Sequence, residues 1–234
     1  MQIKKLIKVK AFLLALMVII SLMTVWLCIE QLKTSNSTSI LPQKLCIVID
    51  AGHGGIDGGA TGVKSGVKES SLNLEVSKLL ARLIDSAGMQ AVMTRQTEAG
   101  LYGTLSSGFK KRDMLKRKEI IERANADLII SIHMNKCGIP SRRGAQVFYS
   151  DDKSKQLAIT IQDSINEMPE SIRKYSPLNG DFYILNCTKR LGVLIECGFL
   201  SNVEDEKLLL NDNYRQNFAY ALFKGLITYL NLNV

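Results

Sequence analysis

The sequence has few of the residues that build cysteine metal sites and nucleotide-binding loops. Only five cysteines and two histidines occur among 234 residues, and no two cysteines have Cys-x-x-Cys spacing. A cysteine-ligated zinc site is therefore disfavoured. The sequence also has no GxxxxGK[ST] motif, no internal repeat of fixed period and no low-complexity tract. These absences argue against a P-loop protein, a solenoid and a disordered chain.

Aromatic residues are also scarce, at 6% of the chain, and no segment interleaves them with basic residues. This pattern predicts no nucleic-acid partner. The formal net charge is +8, but four of the positive charges are lysines within the first ten residues. The rest of the chain is only mildly basic, which suits an anionic wall or membrane surface.

The cysteines are predicted to be isolated thiols and not a disulfide framework. Their number is odd, and Cys28 lies in an apolar segment near the N-terminus. Cys46 and Cys197 fall in apolar, strand-like runs, whereas Cys137 and Cys187 fall in predicted loops. Nothing in their spacing indicates a pairing.

The N-terminus has the pattern of a membrane anchor or a signal peptide. Lysines at positions 4, 5, 8 and 10 precede nineteen uncharged residues, 11–29. As a helix this run spans about 28 Å, close to the thickness of a bilayer's hydrocarbon core. No small-x-small cleavage site follows directly, which favours an uncleaved anchor over residues 1–30. The lysines then stay cytoplasmic, and the chain after residue 30 is exported.

A polar linker, residues 31–44, is predicted to join this anchor to one catalytic domain over residues 45–232. Apolar runs alternate with segments of helical periodicity along that domain, which indicates an α/β fold. We predict a twisted, largely parallel but mixed sheet of about six strands flanked by helices. The predicted strands are 45–50, 90–94, 126–133, 144–150 (near a sheet edge) and 192–197. The predicted helices are 72–87, 153–167, 203–210 and 214–230. A further charged helix is predicted to follow a loop at 100–112 and to end near residue 124. FYILN (182–186) is a further short segment.

Three side chains able to do chemistry occupy equivalent places on three predicted strands. His53 comes three residues after the strand IVID, His133 ends LIISIH, and Glu196 closes GVLIE. Parallel sheets place their functional sites at the carboxyl ends of strands, so we expect these groups to converge on one rim. Glu196 lies between apolar residues, where a carboxylate is costly unless a partner or a cation meets it.

Two imidazoles and a carboxylate are the usual ligands of a catalytic zinc ion. The acidic candidates near His53 are Asp50, Asp57, Glu69 and Glu75. Glu75 falls in the body of a predicted helix and is expected at the solvated surface. Glu69 lies on a flexible segment before that helix, and geometry alone leaves Glu69 and Asp57 undecided.

The glycine-rich segment IDAGHGGIDGGATG (49–62) also allows a rival interpretation, a phosphate-binding turn between a strand and a helix. The Rossmann pattern would require glycine at position 57, where Asp57 stands. An acidic side chain beside a phosphate is unfavourable, so we predict no nucleotide ligand. The glycines are instead expected to let the backbone turn the imidazole of His53 onto a metal ion.

The ordered motifs AGHGGIDGGATG, KESSLNLEV, MTR, ADLIISIHMN and LIECGFLSN resemble those of zinc-dependent N-acetylmuramoyl-L-alanine amidases, the amidase-3 family. The resemblance covers residues 45–230 and implies a phosphorylase/hydrolase-like fold with one Zn²⁺ per domain. By this resemblance the zinc ligands are His53, Glu69 and His133, and the catalytic carboxylate is Glu196. The family's arginine falls on Arg117, but Glu122 stands where an asparagine often follows. The candidates for contacts to the substrate or to the ligands are Arg117, Asn135 and Asp57.

The short basic anchor, the absence of wall-binding repeats and the insertion GTLSSGFKKRDMLKR are similar to the germination-specific, CwlD-type amidases of endospore formers. This closer resemblance implies cortex peptidoglycan as the substrate and a role in muramic-δ-lactam formation together with a separate deacetylase. It places the protein at the outer face of a membrane, in the space where the spore cortex forms. The alternatives are a vegetative wall amidase, a non-catalytic peptidoglycan-binding module, or an amidase that needs an activating protein partner.

Overall fold

The computed structural model describes residues 2–35 and 44–232, so residues 36–43 of the predicted linker lie outside the described residues. The chain divides into two compact units, Met1–Gln43 and Lys44–Val234. The first contains one helix, α1 (Gln2–Ser35). Its segment Phe12–Glu30 has a mean hydropathy of 2.7 and none of it is buried. By length and composition this segment can cross a bilayer, a property that signal sequences share.

The second unit is an α/β domain built on one six-stranded sheet. Its elements in chain order are β1 (Cys46–Ala51), α2 (Glu69–Ser86), β2 (Gln90–Met93), α3 (Phe109–Arg123), β3 (Leu128–Asn135), β4 (Gln146–Tyr149), α4 (Asp152–Asn166), β5 (Leu178–Asn179), α5 (Tyr183–Asn186), β6 (Leu191–Phe199), α6 (Val203–Leu209) and α7 (Asp212–Leu232). The strand order is β2-β1-β3-β6-β4-β5. Only the β4–β6 pairing is antiparallel, which confirms the predicted mixed, largely parallel sheet.

Both faces of the sheet are covered by helices. Every residue of β1 is buried, as expected for a central strand of a parallel sheet. Alternate strand residues such as Ile47 and Ile49 pack into a large core with α2, α4 and α7. Val48 and Leu194 point to the opposite face and pack into a smaller core with α3 and α5.

Several element boundaries differ from the sequence-based predictions. Helix α2 begins at Glu69, so this residue does not lie on a flexible segment ahead of the helix. Helix α3 begins at Phe109, inside the predicted 100–112 loop. Strands β3 and β6 continue past His133 and Glu196, to Asn135 and Phe199. The cause is that both strands keep pairing beyond the two functional residues, across a register shift between His133 and Asn135.

The cysteines are all free thiols, in agreement with the sequence-based prediction. Cys46 and Cys197 are buried in the sheet, whereas Cys28 is exposed on α1.

Strand β4 lies next to the two-residue edge strand β5, close to the predicted edge position.

Candidate metal centre

Two histidines and one glutamate meet at the carboxyl end of the sheet. Glu69 Oε1 lies 3.2 Å from His53 Nε2 and 3.0 Å from His133 Nδ1. One potential ligand atom from each residue lies within 4.8 Å of the other two. Two imidazole nitrogens and one carboxylate oxygen around a single point fit a zinc ion with an open fourth position. The donor set could therefore hold a metal ion.

Sheet topology brings these residues together. Strands β1, β3 and β6 are parallel neighbours, so their carboxyl ends lie on one rim. His53 follows the end of β1, and His133 lies on β3 directly opposite Glu196 of β6. The convergence that the sequence predicted for these three side chains is confirmed.

Glu69 reaches the site from the first turn of α2 and is held in place by its surroundings. Its side chain is 4% exposed. Oε2 accepts the backbone N–H of Ala60 at 2.7 Å, and Oε1 accepts that of Met134 at 3.1 Å. Burial by itself would raise the pKa of Glu69, but hydrogen bonds and charges from His133 and His53 hold it well below its ordinary value. The carboxylate form is therefore strongly favoured.

The glycines next to His53 are required by close packing. A Cβ atom on Gly52 would overlap the His133 ring, and one on Gly59 would overlap the Glu69 carboxylate. Gly59 also has φ +68°, a left-handed conformation that favours glycine. His53 itself has φ +60°, which is uncommon for a residue with a side chain and often marks a functional position. The glycines therefore let three chain segments approach within ligand distance.

Asp57 belongs to the site as a partner of His53. Its Oδ2 lies 3.1 Å from His53 Nδ1, the ring nitrogen that faces away from Glu69. Burial opposes the charged form of His53, but hydrogen bonds to Glu69 and Asp57 outweigh it and raise the histidine pKa. A carboxylate on the outer nitrogen fixes the tautomer and the ring orientation of a metal-binding histidine. The geometry thus gives Asp57 a supporting place and Glu69 the central one.

Glu196 lies beside the His53–Glu69–His133 cluster without joining it. One of its carboxylate oxygens, Oε2, is buried and has no hydrogen-bond partner among residues 2–35 and 44–232. Burial raises the pKa of Glu196 to about 7, against the lowering effect of the nearby His133. An unpartnered buried carboxylate is costly, and such groups cluster at functional sites.

Arg117 is buried beside the site and lines the pocket next to His53 and His133, and its predicted contact to the substrate stays a prediction. The side chain is 2% exposed and forms ion pairs of 2.6 Å with Asp50 and with Asp113. It also donates to the carbonyl oxygens of Ala51, at 2.8 Å, and His53, at 2.6 Å. Arg117 therefore fixes the path of the backbone from β1 to His53.

Arg95 and Asn73 support the same loop, although the sequence predicted no role for either residue. Arg95 donates to the carbonyl oxygens of Ala51 and Gly52, at 2.9 Å each, and of Ser70, at 2.7 Å. Asn73 donates to Gly52 O at 3.1 Å and to Glu69 Oε1 at 3.3 Å. The i,i+4 spacing of Glu69 and Asn73 on a helix was the available signal for Asn73. For Arg95 the signal was its place in the MTR motif at the end of β2.

Three other acidic or amide candidates form no hydrogen bond with the cluster in the described part of the chain. Asn135 Oδ1 accepts the backbone N–H of Lys136 at 2.7 Å, and no hydrogen bond joins the Asn135 side chain to His53, Glu69 or His133. Glu75 is half-exposed and pairs with Arg215 at 2.9 Å, as expected for a surface position. Asp50 faces Arg117 and not the metal centre.

Comparison with known proteins identifies relatives along most of the chain. The family model described as N-acetylmuramoyl-L-alanine amidase, Amidase_3, matches residues 47–228. A germination-specific N-acetylmuramoyl-L-alanine amidase of Bacillus subtilis is 35% identical over 83% of this chain and 86% of its own length. The solved CwlD amidase of Clostridioides difficile, in complex with the GerS lipoprotein, is 34% identical with a TM-score of 0.77, over 81% of this chain and 100% of that one. The amidase AmiC2 of Nostoc punctiforme is 31% identical with a TM-score of 0.69, over 80% and 97% of the two chains.

Proposed function

Because this chain belongs to the amidase-3 family of N-acetylmuramoyl-L-alanine amidases, we propose that it hydrolyses the lactyl–L-alanine amide bond of peptidoglycan with one zinc ion held by His53, Glu69 and His133. The observation that supports this most strongly is the convergence of the three ligand atoms within 4.8 Å. When bound, zinc supplies a Lewis acid that polarises the substrate carbonyl and makes water more acidic.

Residues around the proposed metal position hold the ligand side chains in place. Asp57 holds the His53 ring by its outer nitrogen, so that the inner nitrogen faces the metal position. The backbone N–H groups of Ala60 and Met134 keep the Glu69 carboxylate oriented. These contacts fix the ligands before substrate arrives, which lowers the cost of ordering them during the reaction.

Glu196 is the proposed proton carrier. It stands opposite His133 on the neighbouring strand, with one carboxylate oxygen free of partners in the described part of the chain. From this position it takes a proton from the attacking water and delivers it to the leaving nitrogen of alanine. General acid–base groups of this kind typically contribute 10²–10⁴-fold to the rate.

Substitution of Glu196 separates catalysis from metal binding. Glu196→Gln should retain zinc after dialysis and lose at least 10²-fold in the release of L-alanine-headed peptides. His53→Ala and His133→Ala should instead lose zinc, measured as metal per protein. Glu167→Gln, at an exposed glutamate that pairs with Lys224, is the matched control and should keep both properties. Normal cleavage by Glu196→Gln would contradict the assignment.

We further propose that the substrate is spore-cortex peptidoglycan and that the product serves muramic-δ-lactam formation. The germination-specific relative from Bacillus subtilis and the CwlD amidase structure support this narrower role. Digestion of cortex and of vegetative peptidoglycan by the zinc-loaded protein, with mass analysis of the products, tests it. Faster release from vegetative wall would favour a general wall amidase instead.

The proposed place of action is the outer face of a membrane, with α1 as an uncleaved anchor. The support is the span Phe12–Glu30, whose length and composition suit a bilayer. Cell fractionation together with the mass of the mature protein tests it, because a cleaved signal peptide would release a shorter soluble chain.

An activating protein partner is a further part of the proposal. The CwlD amidase of Clostridioides difficile was solved in complex with a lipoprotein. Zinc content and hydrolysis by the purified chain alone test this, because full activity without any partner would contradict it.

A further inference from the structure

A small pocket adjoins the metal centre on the side of β1. Its volume is about 120 Å³, and its walls include His53, His133, Tyr102, Phe109, Met114 and Lys110. The last four come from the loop before α3 and from the first two turns of that helix. The pocket therefore lies where one part of a substrate bound at the histidines would fall.

The aromatic wall of this pocket is held in a fixed position. The rings of Tyr102 and Phe109 pack edge to face with centroids 5.4 Å apart. The Tyr102 hydroxyl accepts the backbone N–H of Ile56 at 2.9 Å, which joins the wall to the glycine-rich loop. Arg112 donates to the carbonyl oxygens of Thr104, at 2.8 Å, and Ser107, at 2.7 Å. The wall is thus built before any ligand binds, as is usual for ligand pockets.

The charged groups around the pocket neutralise one another. Lys110 Nζ lies 3.8 Å from Asp57 Oδ2 at the pocket mouth. Asp113 pairs with Arg117 at 2.6 Å on the inner side. What remains for a ligand is an uncharged, mainly aromatic and thioether surface.

Positive charge lies instead at the other end of the rim. The connection from β3 to β4 carries the exposed cations Lys136 and Arg142 and packs against the turn after β6. Arg142 stacks over the ring of Phe199, with 5.8 Å between the guanidinium carbon and the ring centroid. Neither cation has an ion-pair partner in the described ranges 2–35 and 44–232. Since the rim runs β1, β3, β6, the neutral pocket and the cations lie on opposite sides of His133.

The two halves of the proposed substrate also differ in charge, as the two ends of the rim do. The muramoyl sugar is uncharged when its lactyl carboxylate is in the amide bond, and it carries an acetamido group. The stem peptide carries free carboxylates. We propose, resting on the proposed function, that the pocket formed by Tyr102, Phe109 and Met114 binds the N-acetyl group of muramic acid, so that the stem peptide extends past His133 toward Lys136 and Arg142.

Two substrates of equal charge that differ by one methyl group test the pocket. A disaccharide muropeptide with N-acetylmuramic acid is compared with its N-formyl analogue, using the detergent-solubilised, zinc-loaded full chain. A methyl group in a fitted apolar pocket changes kcat/KM by about 10–200-fold. We expect the wild type to prefer the N-acetyl substrate by about 10-fold, and Met114→Ala and Phe109→Ala to reduce that preference to about 2-fold or less.

The control is Leu115→Ala, at a side chain next to Met114 that is 49% exposed and does not line the pocket. It should keep the wild-type preference. The proposal would be overturned if Met114→Ala and Phe109→Ala lowered kcat/KM equally for both substrates and left the preference for the N-acetyl substrate intact.

A binding measurement on the wild type needs neither variants nor turnover. The peptide-free disaccharides with N-acetyl and N-formyl muramic acid are titrated against the full chain by NMR. Several-fold tighter binding of the N-acetyl form supports the pocket, and equal binding overturns it. Absence of hydrolysis with this binding preference retained would contradict the proposed function and leave the pocket assignment standing.

Discussion

Replacement of Arg117 by alanine tests the support of the metal centre most sharply. The guanidinium is buried and connects Asp50, Asp113 and the carbonyl oxygens of Ala51 and His53. Its removal leaves two carboxylates without their cation, and that of Asp50 is 2% exposed. Alanine has none of the five guanidinium donors that arginine supplies at this position. Arg117→Ala should therefore destabilise the domain strongly.

The expected magnitude follows from the buried pair. Removal of one partner of a buried ion pair costs about 3–5 kcal/mol. Domains are stable by only about 5–15 kcal/mol, so a large share of the folding free energy is lost. With a urea m-value of about 2 kcal/mol/M, the unfolding midpoint should fall by about 2 M. Arg117→Lys should recover only part of this, because an ammonium group cannot span all the partners.

The pH dependence of this loss has a defined sign. In the wild type, burial would raise the pKa of Asp50, but Arg117 outweighs it and holds that pKa below its ordinary value. The paired carboxylate thus stabilises the fold above the ordinary aspartate pKa, and this contribution disappears as the pH falls through the folded pKa. Without Arg117, burial favours protonated Asp50. The gap in unfolding free energy between wild type and variant should therefore narrow from pH 7.5 to pH 5.

Urea unfolding of residues 44–234, followed by circular dichroism at both pH values, measures these effects. Arg123→Ala is the control, because that arginine lies on the same helix with a side chain that is 76% exposed. Its unfolding midpoint should not change. A loss below about 1 kcal/mol in Arg117→Ala, or a gap that does not change with pH, would refute the reasoning about a buried cation.

Three further predictions concern the surroundings of the ligands. Asp57→Ala should weaken zinc affinity by about 10–100-fold in a competition titration with a chelator, because His53 loses the partner that orients it; unchanged affinity would refute this. Gly52→Ala should abolish zinc binding, since the added methyl group would overlap the His133 ring, and full zinc content after dialysis would contradict the packing argument. Glu206→Gln should lower the thermal unfolding midpoint near pH 7, and lower it less below about pH 4. Burial opposes ionisation of Glu206, but hydrogen bonds from Ser65 and neighbouring N–H groups hold its pKa low. The contribution of the ionised carboxylate to stability is therefore lost as the pH falls. An equal deficit at both pH values would show that ionisation is not involved.

The sequence predicted the sheet and the convergence of His53, His133 and Glu196 for a local reason. Each follows or ends an apolar run long enough to be a buried strand, and parallel strands bring their carboxyl ends to one rim. Boundaries were less certain, as the starts of α2 and α3 show. Helix α3 starts at Phe109, directly after Gly108, which adopts φ +76°. The hydrophobic periodicity of the sequence does not predict that backbone conformation.

The tertiary structure alone shows the physical reason for preferring Glu69 to Asp57 as the proposed ligand, and which residues support the proposed ligands. Geometry along the chain left Asp57 and Glu69 equivalent, and the fold separates them because the β-bridge between Thr61 and Lys68 returns Glu69 to the rim. Arg117 reaches Asp50 across 67 positions of the chain, and Glu206 reaches Ser65 across 141. Periodicity is a property of neighbours along the chain, so the sequence determined the helices and strands and the polar residues at the strand ends. Contacts across such separations form only when the sheet assembles, and they decide which carboxylate lies between the two histidines and which lies outside them.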